Sequence, residues 1–298
     1  MTVSTIDLNF FGQTGDIATY LIPHSGGAVL IDPGAESTLP ALTAALSERG
    51  LTPRDVTHVL LTHIHLDHAG AAGWFARQGA QVYVHPVGAP HMLNPEKLVA
   101  SASRLYGGWM DKLWGDMKPV PAASLNEVRD EAEIAAGELC IQALYTPGHA
   151  EHHISYICED VIYSGDVGGV RFGSNVYVRL PFVPPETHLE KWRASLTRMK
   201  RTGCSSIAPT HFGIYDDAKA HLILAGSFLE DVEAWLEQHM PGISDVETMG
   251  IRYAEFLHVH GLAAGLNEAA ITVYDGGNPI SFAASGLFRY WQKVRNGT

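Results

Sequence analysis

The first part of the chain alternates between short apolar stretches typical of strands and longer stretches with helical spacing, and this alternation limits the possible folds most strongly. Pro and Gly in the segment PHSGG predict a turn between the first two strands. Ser37 is the expected N-cap of the first helix, and Gly50 is its expected end. Strands alternating with helices at this spacing predict an α/β domain. The predicted strands are 17–22, 27–32, 57–62 and 81–86, and the predicted helices are 37–50 and 72–79.

Residues 87–135 interrupt this alternation, and we expect them to form a helical insertion. Leu, Trp and Met residues recur at helical spacing between Leu98 and Met117, and the Gly107–Gly108 pair in the middle either weakens the helix prediction or marks a kink. Tyr106 and Trp109 of the insertion are candidates for an apolar lid over a substrate, for core packing or for a dimer contact.

After the insertion the strand pattern resumes, and from about residue 216 the pattern is mainly helical. The chain is therefore expected to form one α/β domain over residues 1–240, which includes the insertion, and a helical C-terminal extension over residues 241–298 packed on that domain. The remaining predicted elements are strands 138–149, 153–166 and 205–211 and a helix 188–203.

Charge and composition narrow the class of partner. The formal net charge is −12 and no block of Lys and Arg occurs, so a nucleic-acid partner is disfavoured. No apolar run approaches the roughly 20 residues of a membrane span, and the N-terminal residues do not read as a signal peptide, so a cytoplasmic location is expected. The three cysteines stand singly, which predicts reduced thiols rather than a disulfide framework.

The stretch VLLTHIHLDHAG, residues 59–70, places three histidines and an aspartate directly after a predicted buried strand. In extended chain, His63 and His65 face the same way and can meet one ion. Asp67 and His68 must point elsewhere unless the chain turns. This favours a site for two metal ions over a site for one. Imidazole and carboxylate donors suit Zn, Fe, Mn or Ni. The alternative is a chance pairing, because the chain has 16 histidines.

Three further candidates favour the metal-site interpretation over chance. His149, Asp166 and His211 each end a predicted strand, in the segments YTPGH, IYSGD and IAPTH. The ends of strands and the loops that follow them are where α/β folds place their functional sites. The sequence therefore predicts that these side chains belong to the same centre as the motif.

On these residues the chain resembles the metallo-β-lactamase superfamily, and in particular its glyoxalase II-like metal-dependent hydrolases. The HxHxDH motif at 63–68 is followed in family order by His149, Asp166 and His211, and the segments TYLI and GAVLIDPG are also typical of the family. The resemblance covers residues 15–212 in motif order. It implies an α/β fold of the αββα four-layer sandwich type, with the site along one edge.

The resemblance also implies a dinuclear centre for two divalent metal ions, with Zn expected and Fe or Mn as alternatives. A hydroxide bridging the two ions would be the nucleophile, and Asp67 would be the catalytic side chain that orients it or receives its proton. Asp32 and His153 are candidates for orienting the ligands through hydrogen bonds. The implied ligands are His63, His65 and His149 for the first ion, Asp67, His68 and His211 for the second, and Asp166 for both.

The residue at position 166 narrows the reaction class. Family β-lactamases generally carry Cys or Ser there, so Asp166 disfavours antibiotic hydrolysis. Lactonases of the family commonly carry Tyr where this chain has Gly169, so the chain differs from them at that position. We therefore expect hydrolysis of an ester, thioester or lactone-like small molecule. Arg171 and Arg179 either bind an anionic group of that substrate or are solvated surface residues.

Other functions of the superfamily stay open. A persulfide dioxygenase-like enzyme would hold a single Fe by His63, His149 and Asp166, in a facial arrangement with open positions. A phosphodiesterase and a metal-binding module without catalysis are less favoured alternatives. A homo-oligomer is a further possibility that the sequence leaves open.

Overall fold

The computed structural model describes residues 2–297, which form two compact units. The first unit contains the chain up to Tyr145 together with Ile154–Ser164. The second contains Thr146–His153 together with the chain from Gly165 onwards. The domain boundary that the sequence places at residue 240 stays a prediction.

A mixed six-stranded sheet forms one layer of the first unit, in the order β1-β2-β3-β4-β5-β6. The pairs β1/β2 and β2/β3 are antiparallel, and the pairs from β3 to β6 are parallel. Strand β3 is buried along almost its whole length, as expected for a parallel strand covered on both faces. The strands are β1 Ser4–Asp7, β2 Ala18–His24, β3 Gly27–Ile31, β4 Val56–Leu60, β5 Gln81–Val84 and β6 Leu125–Glu127.

A second sheet has the order β11-β10-β9-β8-β7, and its strands β7 to β10 belong to the first unit. The first unit buries side chains of both sheets together: the Tyr20 ring of β2 lies 5.4 Å from the Tyr163 ring of β10. The hydroxyl of Tyr156, on β9, donates to the carbonyl of Leu61 just after β4. The strands are β7 Glu133–Ala136, β8 Leu139–Tyr145, β9 Ile154–Cys158, β10 Val161–Tyr163 and β11 Ser206–Ala208.

Six helices complete the first unit. The first begins at Leu39 and not at Ser37, because residues 36–38 form a 3-10 turn and the Ser37 hydroxyl donates to the carbonyl of Leu113. The prediction of Ser37 as an N-cap is therefore wrong. The kink predicted at Gly107–Gly108 is a break between two helices. The helices are α1 Leu39–Glu48, α2 Leu66–Ala69, α3 Ala72–Gln78, α4 Ala89–Leu93, α5 Glu96–Tyr106 and α6 Met110–Trp114.

The second unit is mainly helical, as the sequence pattern predicts for the C-terminal region. Its core contains large side chains with almost no exposure, among them Trp192, Phe228 and Tyr253. A π-helical turn, Trp291–Arg295, follows the last helix. The helices are α7 Leu189–Lys200, α8 Ala218–His239, α9 Val246–Ala263, α10 Glu268–Gly277 and α11 Ile280–Tyr290.

The prediction of an α/β fold with two sheets and a helical C-terminal region is confirmed. Within the insertion at 87–135, the helices α4 to α6 are followed by β6 and the start of β7. Among residues 2–297, no helix combines the length and the apolar character that crossing a membrane requires. The three cysteines are not joined by disulfides, as expected.

One histidine of α8 has a lowered pKa because of its surroundings. His221 is fully buried, and its Nε2–H donates to the carbonyl of Gly168 at 2.8 Å. Burial lowers the pKa of His221 to about 4, because the charged imidazole loses its hydration. The Arg171 guanidinium lowers this pKa further, whereas the Gly168 carbonyl and the Asp217 carboxylate act in the opposite direction.

We predict that this group weakens the metal-free protein between pH 6.5 and 4. The unfolded chain takes up a proton near the ordinary histidine pKa of about 6.5, whereas folded His221 does not until about pH 4. Its contribution is therefore complete above pH 6.5, and up to about 3 kcal/mol of it is lost as the pH falls. Urea unfolding at a series of pH values should show a shallower decline for His221→Gln. The exposed control His258→Gln should follow the wild type, and equal slopes for His221→Gln and wild type would contradict the assignment.

Candidate metal centre

The histidine motif lies where the chain leaves β4 and turns into α2. Leu61 still pairs with β5 through its backbone N–H, which donates to the carbonyl of Tyr83. The next residues leave the sheet, and His65 occupies the N-cap position of α2. His63 is fully buried, and its Nε2 lies 2.9 Å from Nδ1 of half-buried His65. These two nitrogens are close enough to bind a single ion.

The turn expected for the other two motif residues is the short helix α2. It places Asp67 and His68 in its first turn, with His68 Nε2 3.5 Å from Asp67 Oδ2. The His68 ring is fully buried, whereas the Asp67 side chain keeps 21% of its exposure. Asp67 and His68 therefore form a second donor pair, separate in the chain from His63 and His65.

Asp32 contacts the motif because of the parallel register of β3 and β4. Ile31 pairs with Leu60, so the residues that follow the two strands meet at the same edge of the sheet. Asp32 Oδ2 accepts from His68 Nδ1–H at 2.8 Å, and both carboxylate oxygens accept from Thr62, through its backbone N–H at 2.8 Å and its hydroxyl at 2.7 Å. A carboxylate only accepts hydrogen bonds, so His68 carries its proton on Nδ1 and its lone pair on Nε2.

In the second unit, Asp166 lies in the 3-10 turn Gly165–Gly168 directly after β10. One carboxylate oxygen, Oδ2, is 3.3 Å from His149 Nε2, and the other, Oδ1, is 3.7 Å from His211 Nε2. All three side chains are buried. Each oxygen of a single carboxylate thus faces a different imidazole, which is the arrangement required of a ligand shared by two ions.

The orientation of His149 is fixed by main-chain groups. Its Nδ1 lies 2.8 Å from the carbonyl oxygen of Pro181, which can only accept, so Nδ1 carries the proton and Nε2 the lone pair. Gly148 has a φ of +145°, and a Cβ there would lie 2.5 Å from the Trp192 backbone, so only glycine fits beside His149. His153, predicted to orient a ligand, is buried 6.3 Å from the His149 ring and bonds Thr146 Oγ1 through Nδ1.

The predicted ligands cluster within each unit: His63 lies against His65 and Asp67 against His68 in the first, and Asp166 lies beside His149 and His211 in the second. Neutral imidazoles and carboxylates are the donors that Zn and similar divalent ions prefer. The donor set and the Nε2 lone pairs fixed on His68 and His149 fit metal ions.

The two candidate arginines are buried, so the expectation that they are solvated surface residues is wrong. Arg171 Nη1 donates to Asp217 Oδ1 and Arg179 Nη1 to Asp275 Oδ1, each at 2.7 Å. Both guanidinium groups thus already have a carboxylate partner within the second unit. A contact with substrate stays a prediction for these residues.

The aromatic residues of the insertion differ in their surroundings. Tyr106 is half-buried, and burial raises its pKa well above the ordinary value, with a further contribution from the nearby Asp67 carboxylate. Trp109 is 56% exposed and meets Phe11 edge to face, with ring centroids 6.2 Å apart. The Lys112 ammonium lies over both rings, 4.8 Å from Phe11 and 5.2 Å from Trp109. We call Phe11, Trp109 and Lys112 the aromatic patch.

The sequence signal missed two residues of the centre. Thr62 adjoins the motif, and a hydroxyl directly before His63 at a strand end could have marked it as a partner of Asp32. Pro181 acts through its main-chain carbonyl, which any residue type possesses. No side-chain pattern could have identified it.

Comparison with known proteins identifies one superfamily. Residues 12–211 match the family model of the metallo-beta-lactamase superfamily. A metallo-beta-lactamase fold-containing protein of Sulfurisphaera tokodaii is 28% identical over 168 residues, 53% of this chain and 60% of the relative. An atrochrysone carboxyl ACP thioesterase of Cryptosporiopsis sp. is 24% identical over 207 residues, 68% of this chain and 51% of the relative. The alignments therefore span less than two thirds of either relative.

One solved structure has a similar fold over nearly the full length of this chain. The crystal structure of a metallo-beta-lactamase family protein from Thermus thermophilus superposes with a TM-score of 0.69 at 22% sequence identity. The match covers 99% of this chain and 93% of the other, which establishes a shared fold.

We predict that Asp32→Asn weakens metal binding by about 10- to 100-fold, the range for groups that orient a metal-bound histidine. The substitution keeps the shape of the side chain but removes the charge that accepts from His68 and Thr62. Competition with a chromogenic chelator measures the Zn²⁺ affinity. Asp55→Asn, a half-buried carboxylate of the same unit that also accepts from a threonine, is the matched control. Equal affinities for both variants would show that Asp32 does not orient a ligand.

Proposed function

The chain belongs to the metallo-β-lactamase superfamily, and we propose that it is a dinuclear metal-dependent hydrolase of a small molecule with an ester, thioester or lactone-like bond. The observation that carries the proposal is the position of Asp166. Its two oxygens face Nε2 of His149 and Nε2 of His211, so a single carboxylate is placed to bridge two ions. A carboxylate serving one ion would not need both oxygens directed at separate imidazoles.

The proposed ligand sets follow the donor groups of the structure. When bound, the two divalent ions would supply an activated water and polarise the scissile carbonyl. Asp67, a motif side chain that keeps 21% of its exposure, is the proposed proton acceptor and would orient the attacking water. Asp32 and the Pro181 carbonyl hold His68 and His149 in the tautomers that present Nε2. The proposed sets are His63, His65 and His149 for one ion, Asp67, His68 and His211 for the other, and Asp166 for both.

The aromatic patch supports a substrate with an apolar part. Phe11 and Trp109 are 47% and 56% exposed, and aromatic side chains are enriched at binding interfaces relative to the rest of a protein surface. Phe11 also has a φ of +53°, a conformation that costs a non-glycine residue free energy and is concentrated at functional sites. Tyr106, like Trp109, lies in the insertion at 87–135, and the Asp67 carboxylate is close enough to raise the pKa of Tyr106. We propose that Tyr106 and the aromatic patch contact an acyl group of the substrate.

A thioester is the substrate bond that we favour. One curated relative is named a thioesterase, and the present chain aligns with about half of its length. The Lys112 ammonium over two exposed rings adds a positive charge to the aromatic patch, which would favour a thioester carrier with acidic groups.

Metal analysis of the wild type beside Asp166→Asn tests the proposed centre. We expect two ions per chain in the wild type and at most one in the variant, because the bridge is lost. Thioester or lactone hydrolysis should fall by at least about 100-fold, beyond the range of outer-shell partners. Glu230→Gln, an exposed carboxylate of α8, is the control and should keep both ions. Full occupancy in Asp166→Asn would contradict the bridge. One Fe per chain with persulfide-dependent O₂ uptake would identify a dioxygenase-like enzyme instead.

Trp109→Ala tests the aromatic patch. Removing the exposed ring should lower kcat/KM for a long-chain acyl thioester by about 10-fold and leave the acetyl thioester nearly unchanged, since the lost contact is apolar. Rates for a series of acyl lengths measure this. Val259→Ala, an exposed apolar residue of α9, is the control. A parallel loss for short and long chains would rule out an acyl-binding role.

A further inference from the structure

A connecting segment in the second unit, residues 177–182, is buried without being part of a regular sheet. Its backbone makes one isolated bridge, in which Arg179 and Val170 exchange hydrogen bonds. Every one of the six residues is nevertheless buried. Buried backbone groups need partners, so the remaining polar atoms of the segment must be satisfied by other elements.

Helix α10 and the residue after it provide several of these partners. The hydroxyl of Tyr274 donates to the carbonyl of Tyr177 at 2.7 Å and accepts from the backbone N–H of Phe172 at 3.2 Å. The amide of Asn278 donates to the carbonyl of Leu180 at 3.4 Å. The Tyr274 hydroxyl thus hydrogen-bonds both the connecting segment, at Tyr177, and the backbone of Phe172.

An ion pair adds a second attachment between α10 and the connecting segment. Arg179 is fully buried, and its Nη1 donates to Asp275 Oδ1 at 2.7 Å. The guanidinium carbon also lies 5.4 Å from the centre of the Tyr274 ring. Removing Asp275 would leave a buried charge without its carboxylate, which strongly disfavours the present position of the segment.

The segment carries the acceptor that orients His149. Pro181 follows Leu180 directly, and its carbonyl accepts from His149 Nδ1–H at 2.8 Å. The backbone on the other side of His149 is confined, because Gly148 packs against Trp192. The imidazole therefore lies between a fixed backbone and a carbonyl whose position depends on the attachment of residues 177–182.

From these contacts we propose that α10 positions the metal ligand His149, acting through the connecting segment and the Pro181 carbonyl. Tyr274, Asp275 and Asn278 are positioning residues in this arrangement, since none of them touches the ligand itself. The proposal rests on the proposed function in one respect, namely that His149 binds a metal ion. Helix α10 lies outside residues 12–211, the part of the chain that matches the superfamily model.

Zn²⁺ affinity of the full-length protein tests this proposal in Tyr274→Phe and Asp275→Asn. Tyr274→Phe keeps the ring and removes both hydrogen bonds, and Asp275→Asn keeps the shape and removes the charge. We expect either change to weaken Zn²⁺ binding by roughly 3- to 10-fold, less than loss of a direct partner of a ligand. The visible spectrum of the Co²⁺-loaded protein should change as well. Asp275→Glu should restore the wild-type affinity by restoring the ion pair.

Asp245→Ala is the control for general destabilisation. It removes the N-cap of α9, where Asp245 accepts from Thr248, without touching the connecting segment. It should lower the Tm of the metal-free protein while leaving the Zn²⁺ affinity and the Co²⁺ spectrum as in the wild type. If Tyr274→Phe and Asp275→Asn behave like this control, α10 is only structural and the proposal is wrong. A wild type that binds no Zn²⁺ would instead overturn the proposed function.

Discussion

The candidate centre depends on one constraint, the need to give each buried imidazole a single defined tautomer. A neutral histidine that binds a metal ion through one nitrogen carries its proton on the other, and an acceptor for that N–H fixes the tautomer and the orientation of the ring. His68 receives this acceptor from the Asp32 carboxylate, and His149 receives it from the Pro181 carbonyl. The strand order, the short helix α2 and the connecting segment all serve to place these acceptors.

The two units meet this constraint in different ways. In the first, the parallel register of β3 and β4 brings Asp32 to Thr62 and His68, so regular secondary structure places the acceptor. In the second, the acceptor lies in irregular chain, which side chains of α10 hold in position. The two units also place their positive-φ backbone differently. In the first unit Asp32 itself adopts a left-handed conformation, whereas in the second the positive φ falls on Gly148, the residue before His149.

Much of the candidate centre can be predicted from the sequence, because its candidate ligands are unusual side chains at strand ends. His63, His149 and Asp166 stand out in this way, and Asp32, the candidate for orienting a ligand, ends the predicted strand 27–32. The contacts that position them were harder to predict. Ser37 was expected to cap a helix but bonds Leu113, far along the chain, and the burial of Arg179 depends on Asp275, nearly a hundred residues later. Local pattern contains no information on such distant partners.

The attachment of α10 to residues 177–182 also has a consequence for how the protein is made. During synthesis the candidate ligands leave the ribosome in order from His63 to His211, and all of them precede α10 in the chain. Because α10 positions the Pro181 carbonyl in this proposal, the acceptor of His149 reaches its final position only after Tyr274 and Asp275 have been added and have docked. Metal uptake at full affinity would then be one of the last events in maturation, and a nascent chain released early would hold its metal weakly.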